Sequence, residues 1–324
     1  MHNNTKQPVL SLKTFLTKII DYAGIYPPAN LELAQAFHNY LFYREGEYKW
    51  MLNKFIVPVK KLADLGKIIN DVKIDTPVGL SVIGTGGETI SQFTKSIGDD
   101  SKKISEFLDH HGSAANVDVY EVRLPKEVLD QEEADDMLDL MISASGELDA
   151  LLGKEVPVFY EAAFDENYEP TILKVVENIA SLNNKCGFKL RTGGTESASI
   201  PSNEIVAFAL MTCCEFSVPM KCTAGLHHPI RHYDDAIKAN MHGFFNVFGA
   251  GVLAYSSGLD EAELLDILND EDPDEFMFGE NGLEWNETEA TNEEIREARA
   301  GTIVSFGSCS FDEPVDDLKV MEFM

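Results

Sequence analysis

The sequence predicts an α/β protein of the (β/α)8 TIM-like barrel class with an N-terminal helical cap, and three observations predict it. Seven short runs rich in β-branched or aromatic residues, each bounded by Gly or Pro, read as strands. Amphipathic segments of helix length separate them, as a repeating βα unit requires. No Gly-x-Gly-x-x-Gly follows the first strand, which weighs against the rival, an open doubly wound sheet.

The elements follow in order. Ser11 to Tyr22 has helical periodicity, and Asp21-Tyr-Ala-Gly-Ile-Tyr-Pro-Pro28 stops that helix; a second helical stretch runs from Leu31 to about Arg44. Phe55 to Val59, Val78 to Ile83, Val117 to Leu124, Val156 to Phe164, Phe188 to Arg191, Met220 to Thr223 and Ile303 to Phe306 are the strands. Gln131 to Leu152, Pro170 to Leu182 and Ser202 to Phe216 are helices between them. The eighth strand is sought between Glu275 and Trp285, where Phe276-Met-Phe278 and Leu283-Glu-Trp285 compete. Residues 1–50 then form the cap and residues 51–324 the barrel, with no Pro-, Gly- or Ser-rich linker dividing them.

A chain of 324 residues with 44% hydrophobic residues can bury a large core. Its formal net charge of −29 repels nucleic acid and anionic membrane surfaces, so neither is an expected partner. The acidity is densest from Leu259 to Glu297, which reads as a solvated face. With no signal-peptide pattern and no apolar run long enough to cross a bilayer, a cytoplasmic location is expected. The five cysteines lack the paired spacing of a zinc site and are expected to be reduced, inert thiols.

Side chains of a barrel strand alternate between the helices and the axis. Counted that way, Ser81, Glu121, Arg123, Glu161, Lys189, Arg191, Lys221, Thr223 and Ser305 face the axis. A lysine there is costly to desolvate, so Lys189 and Lys221 mark a site rather than packing. Four cations against two carboxylates suggest an anionic ligand, a phosphate or carboxylate, clamped by Arg191 or Arg123. Thr192, Gly193, Gly194 and Gly225 leave backbone N–H groups open to an anion. Lys221 is the candidate nucleophile: burial and the neighbouring Lys189 and Arg191 lower the pKa of an amine, and Glu161 or Glu121 would move protons. His227, His228, Arg231 and His232 crowd the loop after Lys221, suited to ligand binding or acid–base work. No cofactor is expected. The alternative is a divalent metal on Glu121, Glu161 and His228, although Pro229 disfavours a regular helix that would align His228 with His232.

The string Lys221-Cys-Thr-Ala-Gly225 resembles the Lys-Thr-Ser-Thr-Gly strand of the deoxyribose-phosphate aldolase family. That five-residue likeness implies a Schiff-base role for Lys221, with Thr223 at the serine position and Gly225 at the glycine. Over nearly its whole length the chain also resembles a bacterial protein family of unassigned function. That likeness is carried by Asp21-Tyr-Ala-Gly-Ile-Tyr-Pro-Pro28, Trp50-Met-Leu-Asn-Lys-Phe-Ile-Val-Pro58, Lys189-Leu-Arg-Thr-Gly-Gly194, Lys221-Cys-Thr-Ala-Gly-Leu-His-His-Pro-Ile-Arg231 and Met241-His-Gly-Phe-Phe-Asn-Val-Phe248.

The expectation is therefore an aldolase-like lyase acting on a small anionic carbonyl compound. A metal-assisted lyase or hydrolase is the first alternative, and a non-catalytic small-molecule-binding barrel is the second. A homo-oligomer is compatible with either.

Overall fold

The computed structural model describes residues 7–130, 135–164, 166–182 and 186–324. In chain order the strands are β1 (Ile20–Tyr22), β2 (Leu52–Pro58), β3 (Val78–Ile83), β4 (Ala115–Arg123), β5 (Val158–Glu161), β6 (Gly187–Arg191) and β7 (Met220–Thr223). They continue as β8 (His232–Asp234), β9 (Ala239–Met241), β10 (Met277–Phe278), β11 (Gly282–Trp285), β12 (Thr288–Thr291) and β13 (Ile303–Ser308). Eight of them close a parallel barrel in the order β1-β13-β7-β6-β5-β4-β3-β2, and helices surround it. The expected fold class is the observed one.

The eighth strand lies elsewhere than expected. The segment from Glu275 to Trp285 supplies β10 and β11, which pair antiparallel with each other and, through β11, with β12 in a separate small sheet. The missing barrel strand is β1, inside the segment read as a helix from Ser11 to Tyr22. The helix there spans only Leu10–Leu16; Lys18 then takes a positive φ of 51°, which ends it and turns the chain into Ile20–Tyr22. The start of the expected 131–152 helix lies outside the described residues, and the remainder is the helix Asp135–Leu152.

The chain divides into two compact units. One comprises Met1–Asn30, Phe42–Asn53 and Arg191–Met324. Here β13 pairs with β1 and β7, and Phe306 stacks on Phe244 of the helix Phe244–Ser257 with ring centroids 5.4 Å apart. Phe15, Phe245, Phe278 and Phe323 form an aromatic cluster in the same unit. Its ladder is bulged between Ile303 and Ser305. The carbonyls of Ile303 and Val304 at that bulge accept from the Arg299 guanidinium, which also binds the carbonyls of Phe15 and Thr17. Arg299 is therefore a buried structural cation. Burial pulls its pKa down to about 9, with Asp21 opposing, so it stays charged at neutral pH.

The other unit comprises Leu31–Leu41 and Lys54–Leu190, and carries most of β2, all of β3 to β5 and most of β6. Its helix Leu33–Tyr43 sets Phe37 and Tyr40 against Phe55 of β2, each at 5.4 Å between centroids. Tyr120 and Tyr160 point away from the axis, as their hydroxyls donate to Asp100 and to the Met141 carbonyl on flanking helices. That orientation leaves Glu121 and Glu161 on the opposite face. A bulge between Leu80 and Ser81 changes the β3–β4 register, so that Leu80 pairs with Val117 but Ser81 with Val119.

Candidate functional site

Among the described residues, each unit buries one lysine against carboxylate groups. In the unit built on β1, β7 and β13, Lys221 Nζ lies 2.7 Å from Asp21 Oδ2, with side-chain exposures of 2% and 0%. The same Asp21 oxygen accepts from Ser305 Oγ at 2.7 Å. The register explains the meeting: the β13 bulge sets Ser305 beside Lys221, and β1 runs along the other edge of β13. Two donors on one carboxylate oxygen hold Asp21 in place.

In the unit built on β2 to β6, Lys189 Nζ lies 2.9 Å from Glu121 Oε2 and 3.0 Å from Glu161 Oε2. Ser81 Oγ donates to the other Glu121 oxygen. Burial opposes the charge on Lys189, but the two carboxylates outweigh it and raise its pKa above the ordinary lysine value. Lys189 is thus a fixed ammonium, and Glu121 and Glu161 are its counter-ions.

Arg123 and Arg191, expected inside, are exposed at the carboxyl ends of β4 and β6. Asp21, a carboxylate not counted from the sequence, is inside. Of the charges on the two lysine clusters, two lysines therefore meet three carboxylates, Asp21, Glu121 and Glu161, and the expected cationic excess is not found there.

Thr192 ties the loops after β6 and β7 together. Its amide donates to the Thr223 carbonyl at 2.9 Å and its hydroxyl to the Ala224 carbonyl at 2.6 Å. A Cβ on Gly193 would lie 2.7 Å from Gly225 Cα, and one on Gly225 only 2.9 Å from Gly193 Cα. Ala224 and Gly225 both have positive φ, 64° and 80°. Strain at a non-glycine residue directly after the Lys221 strand is a mark of functional loops. These glycines first serve close backbone approach. Gly225→Ala is expected to lose about 1–3 kcal/mol of stability, read from urea unfolding; an unchanged midpoint would contradict the packing role.

The histidine loop is not helical at His228 and His232; their rings meet edge to face at 4.4 Å between centroids, and His232 enters the β8–β9 hairpin. His228 Nδ1 pairs with Asp317. Arg231 reaches Asn203 Oδ1 at 3.4 Å and Glu271 at 3.9 Å. His227 Nδ1 lies 3.0 Å from Glu313 Oε2 and its Nε2 lies 3.8 Å from Cys309 Sγ. Among the described residues, no three His, Cys, Asp or Glu side chains come together as a metal site. The carboxylates of the metal alternative, Glu121 and Glu161, hold Lys189 instead.

Burial works against the charge on His227, but the Cys309 and Glu313 contacts outweigh it and raise its pKa from 6.5 to about 9. A folded-state pKa above the unfolded one stabilises the fold fully below pH 6.5, and the gain disappears as pH rises through about 9. The stability difference between the parent and His227→Gln should therefore shrink across that window in pH-dependent urea unfolding. A difference that grows with pH would contradict the assignment.

Among the described residues, no helix is long and apolar enough to cross a membrane. The sequence matches no known family description and no curated protein.

Proposed function

We propose that the protein is an enzyme of the Schiff-base lysine class, acting on a small anionic carbonyl compound as an aldolase-like carbon–carbon lyase, with Lys221 as nucleophile. The observation that carries the reading is the buried contact of Lys221 Nζ with Asp21 Oδ2 at 2.7 Å. A lysine attacks a carbonyl only as the free amine, and Asp21 is the acceptor placed to take the ammonium proton. The amine then bonds the carbonyl carbon, and the π pair passes to oxygen. Asp21 returns its proton as water leaves, which gives the iminium. Asp21, ionised again, then takes the proton of the hydroxyl on the second carbon from the iminium; the fragment that bears it leaves as an aldehyde or ketone while the electron pair of the broken carbon–carbon bond passes into the iminium and forms an enamine.

Ser305 is a positioning residue that keeps Asp21 beside Lys221. Arg191, exposed at the end of β6, supplies a guanidinium for the anionic group of the substrate. Lys189, with Glu121 and Glu161, contributes a fixed ionic cluster rather than a second nucleophile. The fold is compatible with this reading, since barrel enzymes keep their chemistry at the carboxyl ends of the strands.

Iminium formation acidifies hydrogens next to the carbonyl, so proton NMR in deuterated water provides the test. Pooled small keto acids and keto phosphates should show α-hydrogen exchange with the parent protein and none with Lys221→Met. Absence of exchange by the parent across the pool would overturn the reading and favour a non-catalytic binding barrel.

A further inference from the structure

The thiol after β13 has partners that Lys221 chemistry does not use. Cys309 follows β13, His227 lies in the loop after the neighbouring β7, and Glu313 opens the helix Asp312–Val320. The turn that carries the thiol is pinned. Ser308 Oγ donates to the Ser310 carbonyl at 2.7 Å, and Ser310 Oγ accepts from the Glu313 amide at 3.2 Å. Sγ, Nε2, Nδ1 and Oε2 form one chain, at 3.8 Å for the sulfur contact and 3.0 Å for the carboxylate contact. A nucleophile, a base and a group that orients the base, in that sequence, make up the arrangement of thiol catalysis. Cys309 is 7% exposed, which admits small reagents only.

We propose that Cys309, His227 and Glu313 form a second nucleophilic centre, independent of Lys221, at which the thiol adds to the carbonyl carbon of small aldehydes. The sulfur–carbon bond forms as the carbonyl π pair moves to oxygen. His227, charged at neutral pH, gives its Nε2 proton to that oxygen and takes the thiol proton in its place, which leaves a thiohemiacetal and the imidazolium as it was. The step expels no leaving group and needs no oxidant. Glu313 acts through His227 and is a positioning residue. Its charge at neutral pH suits His227 to supply the proton to the carbonyl oxygen, while burial pushes the Cys213, Cys214 and Cys222 thiols up and makes them poor competitors.

The test is limiting iodoacetamide on the full chain at neutral pH, followed by peptide mapping. Cys309 should carry the label first, and His227→Gln should slow its labelling at least about tenfold. Glu313→Gln should slow it less, with Glu313→Asp restoring part of the rate at unchanged melting temperature. Propionaldehyde should protect Cys309 in the parent and equally in Lys221→Met, which separates this centre from the Schiff-base reading. Labelling of Cys214 as fast as Cys309, an unchanged rate in His227→Gln, or no protection by propionaldehyde would overturn the proposal. If His227→Gln fails to fold, the labelling order and the protection in the parent decide.

Discussion

Replacing Asp21 with alanine is expected to destabilise the protein by about 3–5 kcal/mol, the range for removing one partner of a buried ion pair. Asp21 is fully buried, and its Oδ2 serves both Lys221 and Ser305. Removing it leaves the Lys221 ammonium in a site already out of water, without the carboxylate that offsets its desolvation. The double variant Asp21→Ala/Lys221→Met should recover most of the loss, because an apolar pair of similar volume carries no such penalty. Urea unfolding of the four proteins in that cycle measures both effects. A loss below about 1 kcal/mol for Asp21→Ala, the size of an exposed pair, would show that the contact does not hold the site together.

Lys189→Met should cost a similar amount, about 3–5 kcal/mol, for the opposite reason. The ammonium bridges Glu121 at 2.9 Å and Glu161 at 3.0 Å, so its loss leaves two carboxylates facing a shared apolar side chain. One of them is then favoured in its protonated form, which raises its folded-state pKa above the unfolded value. Such a group stabilises the fold below the unfolded pKa, and the stabilisation is lost as pH rises through the folded one. The defect in Lys189→Met should therefore be smallest in mild acid, near the ordinary glutamate range of about 4, and grow towards neutrality. Unfolding midpoints that shift equally at both pH values would contradict the double ion pair.

Much of the barrel was legible because its strands are short apolar runs with clear boundaries; β3 and β7 have the expected limits. β1 was not, since three residues offer no periodicity and the preceding helix continues into the same apolar pattern. That one strand carries Asp21, which explains why Lys221 was singled out without its counter-ion. Alternation placed Ser81, Glu121, Glu161, Lys189, Lys221 and Ser305 correctly because both ladder bulges lie before these residues. Arg123 and Arg191 are the last residues of their strands, where alternation does not decide whether a side chain is buried, and both are exposed. The contacts of Cys309 with His227, and of His227 with Glu313, were not legible because the three residues come from separate segments. Arg299 lies just past the acidic run from Leu259 to Glu297. Nothing in sequence marks it as the residue that satisfies the carbonyls of a bulge.

The most direct measurement is intact mass spectrometry after incubation with pooled keto acids and sugar phosphates plus borohydride, run beside Lys221→Met. A Schiff-base lysine predicts an irreversible mass gain in the parent, mapped to Lys221 and absent from the variant. No adduct in the parent, or an adduct that persists in Lys221→Met, would contradict the assignment of Lys221 as the nucleophile.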